Sequence, residues 1–221
     1  MGQQILALRI GDKYGPEYEH YLKSKFDNIT FINKPFFTEM KLQWNKMCGM
    51  RFDTDEPLVV IDIDMLFMND YEDIINYPIK KGEFLGMKSW WKDTEKPGYS
   101  LNGGFYKYYP KDCRYIFDKF YSDIDYWQEY YIKNGTTVGP VNGEQYFVED
   151  SVKERLELKF LPQEWYGKMI LHPTTKWLEE CNNAYPGDYF YKDGKFNEDV
   201  KIVHFQRSHS LHELLQTTLQ E

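Results

Sequence analysis

The sequence predicts an α/β domain with a central mixed, mostly parallel sheet flanked by helices, and three stretches predict it. Residues 4–10 read as a strand ended by Gly11-Asp12, residues 17–26 as a helix with Pro16 near its start, and residues 28–32 as a second strand. Strand, helix and strand at that spacing make a βαβ unit and hence a largely parallel sheet. The second stretch runs Leu58-Val59-Val60-Ile61-Asp62-Ile63-Asp64-Met65-Leu66-Phe67, bounded by Pro57 and the charged 53–56 segment on one side and Asn69-Asp70 on the other. Its apolar, mostly β-branched run is that of a central strand buried on both faces. The third is Lys201-Ile202-Val203-His204-Phe205, a short apolar strand late in the chain. A length of 221 residues is enough for one large domain with a full core, and no repeat, low-complexity segment or linker divides it. A single domain over residues 1–221 is the expectation.

Taken in order, the loop after the first strand carries Arg9, Asp12 and Tyr14. Open α/β sheets bind ligands beyond the carboxyl ends of their strands, which puts this loop beside Asp62 and Asp64. Tyr14 there suits stacking on a base, and Asp12 suits accepting from the base edge or a ribose; a polar turn with one surface tyrosine is the plain alternative. Residues 38–50 have helical spacing, with Met40, Trp44, Met47 and Cys48 forming a core-type stripe. Lys41, Lys46 and Arg51 lie just before the acidic strand, where a cation reaches a diphosphate unless it belongs to a solvated helix face.

A short helix over 71–76 ends before Pro78, and a strand follows over 83–87. The polar loop 89–98 holds Trp90 and Trp91, one of which is expected to wall a binding cleft. In Leu101-Asn102-Gly103-Gly104-Phe105-Tyr106 the paired glycines let backbone approach a ligand closely and leave the Asn amide to bond it; an ordinary turn before a strand is the alternative. Residues 111–131 predict one or two amphipathic helices, 135–143 a loop, and Glu144-Gln145 the opening of another helix. Residues 160–166 read as a strand with a turn. Pro186-Gly187-Asp188 and Asp193-Gly194 are turn chemistry, and a terminal helix is expected beyond Ser208.

Composition narrows the function classes. A net charge of −8, from 27 basic and 35 acidic residues without a long basic run, argues against nucleic acid as a partner. Aromatics reach 18% with 19 Tyr and 6 Trp, side chains that stack on bases and sugar rings or build an aromatic core. Cys48, Cys113 and Cys181 are odd in number and far apart, so buried reduced thiols are expected, with neither disulfides nor a zinc site. No stretch has the length of a membrane span and no signal layout opens the chain, giving the expectation of a cytoplasmic protein.

Two carboxylates at the end of a buried strand are costly unless neutralised, and a divalent cation shared with substrate phosphates does so. The plain alternative is a pair of strand-end acids in water. An apolar strand ending in Asp62-Ile63-Asp64, an Asn-Gly-Gly segment about forty residues on, an acid-Gln pair and a late apolar strand carrying His204 together resemble the GT-A class of nucleotide-sugar glycosyltransferases. The resemblance runs from Ala7 to about Arg207. It is nearest to the retaining, metal-dependent branch with glycogenin-like and xylosyltransferase-like families, and extends to the small algal-virus domains that build capsid glycans.

This resemblance implies a GT-A, Rossmann-like fold and transfer of a hexose or deoxyhexose from a UDP-sugar donor to a glycan or glycoprotein acceptor. It implies Mn²⁺ or Mg²⁺ on Asp62, Asp64 and His204, the imidazole favouring Mn²⁺. Asn102, Gly103 and Gly104 correspond to the segment lining the donor sugar, and Glu144-Gln145 to the family's Asp-Gln pair beside the anomeric carbon, with Glu in place of Asp. Arg9, Asp12 and Tyr14 correspond to nucleotide contacts. Gln206 and Arg207 depart from the usual glycine and lysine, with Arg207 as a substitute contact to the diphosphate. Three other readings stay open: a non-catalytic carbohydrate-binding module, a nucleotidyltransferase, and a haloacid-dehalogenase-like phosphatase, whose D-x-D is followed by residues unlike Met65-Leu66.

Overall fold

The computed structural model describes residues 3–91, 98–135, 143–206 and 211–218. The chain begins with β1 (Gln4–Leu8) and α1 (Pro16–Lys25). Pro16 supplies the preset φ of the first helical turn, and Glu17 and Glu19 at one end with Lys23 and Lys25 at the other complement the helix dipole. β2 (Ile29–Ile32) then pairs parallel to β1, completing the expected βαβ unit.

The helical stripe after it starts later than predicted and winds more tightly, as 3₁₀ turns over Leu42–Arg51. Trp44, Met47, Cys48 and Met50 are buried as expected. Asn45 fastens the entry to these turns, donating to the carbonyls of Met40 (3.2 Å) and Leu42 (2.8 Å) and accepting from Phe36 N (2.7 Å).

The acidic strand is two strands. β3 (Leu58–Asp62) ends on the first aspartate, Ile63 and Asp64 form a turn, and β4 (Met65–Phe67) continues in a different sheet. α2 (Glu72–Ile75), β5 (Glu83–Lys88) and β6 (Leu101–Tyr108) follow. The amphipathic stretch becomes two helices, α3 (Pro110–Ser122) and α4 (Ile124–Gly135), and α5 (Glu144–Arg155) opens on the acid-Gln pair. β7 (Glu157–Phe160), a 3₁₀ turn and β8 (Tyr166–Ile170) replace the single strand expected over 160–166. α6 (Thr175–Ala184), capped by the Thr174 hydroxyl, precedes a hairpin of β9 (Tyr191–Lys192) and β10 (Lys195–Phe196) around Asp193-Gly194. β11 (Ile202–Gln206) and α7 (Leu211–Thr218) come last.

The main sheet has the order β2-β1-β3-β6-β5-β7, with β6 antiparallel to both neighbours and the other pairings parallel. A second sheet has the order β4-β11-β8. Alternation along the strands divides the core in two. Ile5, Ala7, Val59 and Ile61 face α1 and the second sheet, while Leu6, Leu58, Val60 and Phe84 face the 3₁₀ turns, α3 and α5. Among the described residues no helix is long and apolar enough to cross a membrane. Cys48, Cys113 and Cys181 are free and buried, as expected.

The tryptophan pair is a correction. Trp91 is buried, and Trp90 donates from Nε1 to Tyr166 O (2.9 Å) with its ring against Tyr185 and Phe190. Both are packing residues over the second sheet, because a flat apolar ring gains more there than at a wall in water. The Asn-Gly-Gly segment lies inside β6, which sets aside the alternative of an ordinary turn before that strand.

Candidate active site

The site forms where the two sheets meet. β11 runs antiparallel to β4 with His204 opposite Met65, and Phe205 N donates to Asp64 O (3.1 Å), which brings the imidazole beside the turn. His204 Nε2 lies 3.3 Å from Asp64 Oδ1 and 3.9 Å from Asp62 Oδ2. The remaining oxygen of each acid is already engaged: Lys46 Nζ sits 2.5 Å from Asp62 Oδ1, and the Tyr14 hydroxyl donates to Asp64 Oδ2. One oxygen from each acid and Nε2 thus face a common point, with ligand atoms all within 4.8 Å of one another. Two hard carboxylate oxygens and one imidazole nitrogen fit Mg²⁺ or Mn²⁺ in chemistry and spacing. Burial pushes the Asp64 carboxyl up, but the charge and hydrogen bond of His204 and the Tyr14 hydroxyl outweigh it and hold Asp64 below the usual carboxylate range. His204 Nδ1 is buried without a hydrogen-bond partner among the described residues.

Next to this cluster, β6 carries a bulge. Gly86 pairs with Tyr106 and Met87 with Asn102, so Gly103, Gly104 and Phe105 fall out of register with β5. Side chains take up the backbone groups the ladder loses. Gly103 N donates to Gln145 Oε1 (3.1 Å), Gly104 N to Asn102 Oδ1 (2.9 Å), and Lys46 Nζ donates to Gly103 O (2.6 Å). A side chain at Gly103 would find Lys46 Nζ, Glu144 Oε2 and Gln145 Oε1 each 3.4 Å from its Cβ. A side chain at Gly104 would meet Asn102 Oδ1 at 2.9 Å and His204 Nδ1 at 3.2 Å. The two glycines therefore join the acid-imidazole cluster to a polar cradle.

Glu144 and Lys46 give the cradle its charge. Glu144 is buried, with Oε2 accepting from Tyr106 Oη (3.3 Å) and Oε1 without a partner among the described residues. Burial pushes its carboxyl up to about 7 against the pull of Lys46, and the nearby Asp62 charge adds to the rise. Lys46 is buried, which by itself lowers an ammonium pKa, yet Asp62, Glu144 and Asp64 more than offset that and keep it charged. The solvated helix face considered for Lys46 is thus ruled out.

The loop after β1 departs from expectation at two residues. The Arg9 guanidinium pairs with Glu19 of α1 and reaches Tyr14 O (3.5 Å), so its charge is already matched. Tyr14 has its hydroxyl on Asp64, its ring edge-on to Tyr18 at 5.0 Å and Lys13 Nζ 4.5 Å above the ring, a correction to the open stacking platform expected there. Asp12 is exposed on the turn at Gly11. Arg207 lies outside the described residues.

Sequence reasoning missed Glu149. Buried on α5, its carboxylate accepts from Ser100 N (2.9 Å) and Leu101 N (2.8 Å), fixing the start of β6 ahead of the bulge. With Lys153 four residues on, the pair looks in sequence like a solvated ion pair, so no local signal marks it. Tyr106 was likewise read only as part of an aromatic strand.

Compared with solved structures, the chain matches mouse xyloside xylosyltransferase 1 with a TM-score of 0.55 at 9% identity, over 96% of this chain and 100% of that one. It matches a glycosyltransferase involved in the glycosylation of the major capsid of PBCV-1 with a TM-score of 0.53 at 14% identity, over 91% and 93%. An active-site mutant of LgtC gives 0.50 at 9% identity, over 97% and 94%. The fold is that of the GT-A glycosyltransferases. In this GT-A fold the acidic turn lies at the carboxyl end of β3, in line with the sheet rule applied to the sequence. The chain spans 47% of the length of the Streptococcus pneumoniae glycosyltransferase GlyE, which it also matches. No protein-family model and no curated protein matches the sequence.

Proposed function

We propose that the chain, acting as one domain over residues 1–221, is a metal-dependent glycosyltransferase that moves a hexose or deoxyhexose from a UDP-sugar to a glycan or glycoprotein acceptor with retention. One observation carries this reading: the Asp62–Asp64–His204 cluster opens onto the Lys46–Glu144–Gln145 cradle at Gly103. A divalent ion on the cluster would neutralise the diphosphate as it leaves, in the manner of a Lewis acid.

The chain's own groups do the rest. Lys46 is the fixed cation of the cradle on its Asp62 side, where a phosphate oxygen or sugar hydroxyl of the donor is received. Gly103 and Gly104, lacking side chains, let the donor sugar lie against the bulge, and Asn102 keeps Gly104 N turned away from it. As the bond between the anomeric carbon and the phosphate oxygen breaks, positive charge grows on the sugar ring. The Glu144 carboxylate and the Gln145 amide oxygen, both beside Gly103, are acceptor atoms suited to stabilise it. Retention requires the acceptor oxygen to arrive on the face the diphosphate leaves, and the correspondence of Glu144-Gln145 to the family's Asp-Gln pair supports that course. The buried free thiols support the expected cytoplasmic setting.

A thermal-shift screen of nucleotide sugars with and without Mn²⁺ tests the proposal. Stabilisation by a UDP compound only when Mn²⁺ is present is expected, about 2.7 kcal/mol at a hundredfold excess over Kd. No stabilisation by any uridine diphosphate compound removes the reading, and an inverted anomeric configuration in the product, read by proton NMR, removes retention.

A further inference from the structure

Tyr14 is held at three points, one on its backbone and two on its side chain. Arg9, itself fastened to Glu19, reaches its carbonyl; the buried Tyr18 of α1 meets its ring edge-on at 5.0 Å with an interplanar angle of 67°; and its hydroxyl donates to Asp64 Oδ2. A carboxylate can rotate about its terminal bond, presenting either oxygen or both to a neighbour. Asp64 cannot do so freely, because Oδ2 is tied to Tyr14 while Oδ1 lies 3.3 Å from His204 Nε2. The phenol therefore decides which oxygen faces the acid-imidazole cluster. The sheet rule places this loop beside the acids, but nothing in the sequence says that the Tyr14 hydroxyl ends on one of them.

We infer that Tyr14 is a positioning residue for the ion site, its hydroxyl orienting Asp64 so that Oδ1 converges with Asp62 Oδ2 and His204 Nε2. The inference rests on the proposed metal-dependent function. It gives the loop 9–15 a part in cation binding before any nucleotide arrives. By linkage, a cation that fixes Asp64 also steadies that loop through the same hydrogen bond.

Groups that orient a ligating side chain typically change metal affinity 10–100-fold when removed. The test is a Mn²⁺ titration followed by electron paramagnetic resonance of the free ion, on the full chain without nucleotide. Tyr14→Phe keeps the ring against Tyr18 and removes only the hydroxyl. Tyr21→Phe is the control: it deletes another phenol, one that accepts from Phe67 N at 2.9 Å and, among the described residues, makes no hydrogen bond to the cluster. We expect Tyr14→Phe to bind Mn²⁺ about 10-fold more weakly than wild type and Tyr21→Phe to bind it as wild type does. Equal affinity in Tyr14→Phe, or the same loss in both variants, overturns the inference while leaving the metal site standing. Absence of saturable binding in the wild type overturns the metal-dependent function itself, and the inference with it. Hydrogen exchange adds a readout independent of affinity. Saturating Mn²⁺ should slow amide exchange over residues 9–15 in wild type but not in Tyr14→Phe; identical exchange in the two proteins overturns the link between loop and ion.

Discussion

Glu144 offers the sharpest test of the site because a single titration reports its burial. The perturbation is pH, with Glu144→Gln as the reference protein, both kept metal-free with chelator. Burial raises the carboxyl from an ordinary 4.5 to about 7 in the folded state, with Lys46 opposing the rise and Asp62 adding to it. A group whose folded pKa lies above its unfolded one contributes stability that is fully present below about 4.5. That contribution is lost as pH rises toward about 7 and changes little beyond. A rise from 4.5 to about 7 corresponds to about 3 kcal/mol. Glu144→Gln keeps the shape and cannot ionise, so it removes the penalty. Urea melts at closely spaced pH values between 4 and 9 should show the two proteins drawing apart through this window. The variant should be the more stable by about 3 kcal/mol on the alkaline side. A difference that is flat with pH, or that favours the wild type at high pH, refutes the claim that the cradle holds a buried carboxyl without a partner on Oε1 among the described residues.

Three further outcomes follow from the same geometry. Lys46→Met leaves Asp62 Oδ1 and Gly103 O without their shared donor. With the Asp62 side chain 25% exposed, the loss belongs at the low end of that for broken buried pairs, about 3 kcal/mol in urea unfolding. A loss below about 1 kcal/mol would show that this ammonium does not hold the bulge. Gly104→Ala drives a methyl to 2.9 Å from Asn102 Oδ1 and 3.0 Å from Met87 Cε, an overpacking of about 1–3 kcal/mol. Gly103→Ala meets only atoms at 3.4 Å and should fold within about 1 kcal/mol of wild type while losing stabilisation by a UDP compound. Retained UDP stabilisation in Gly103→Ala would place the donor elsewhere.

The fold was legible because its decisive signals are local. The βαβ opening, the apolar run into Asp62 and the late strand around His204 are written in short-range hydrophobic pattern and turn residues, and each reappears near its expected place. Asp62, Asp64 and His204 were readable as a set only through family resemblance, since nothing local says which of five histidines meets the acids. The antiparallel pairing of β11 with β4 decided that, and it exists because the acidic stretch breaks at Ile63-Asp64 and changes sheet. Tertiary structure alone also turned Lys46 from a surface cation into a buried counter-charge, sent the Tyr14 hydroxyl to Asp64, packed both tryptophans away, and made Glu149 a fastening for β6. The physical reason is common to these cases. A polar side chain's role depends on which unpaired charge or backbone group lies within hydrogen-bond reach, and here those partners come from 16 to 57 residues away for Lys46 and 50 for Tyr14. Periodicity within a window of a dozen residues carries the elements, and only their assembly carries the partners.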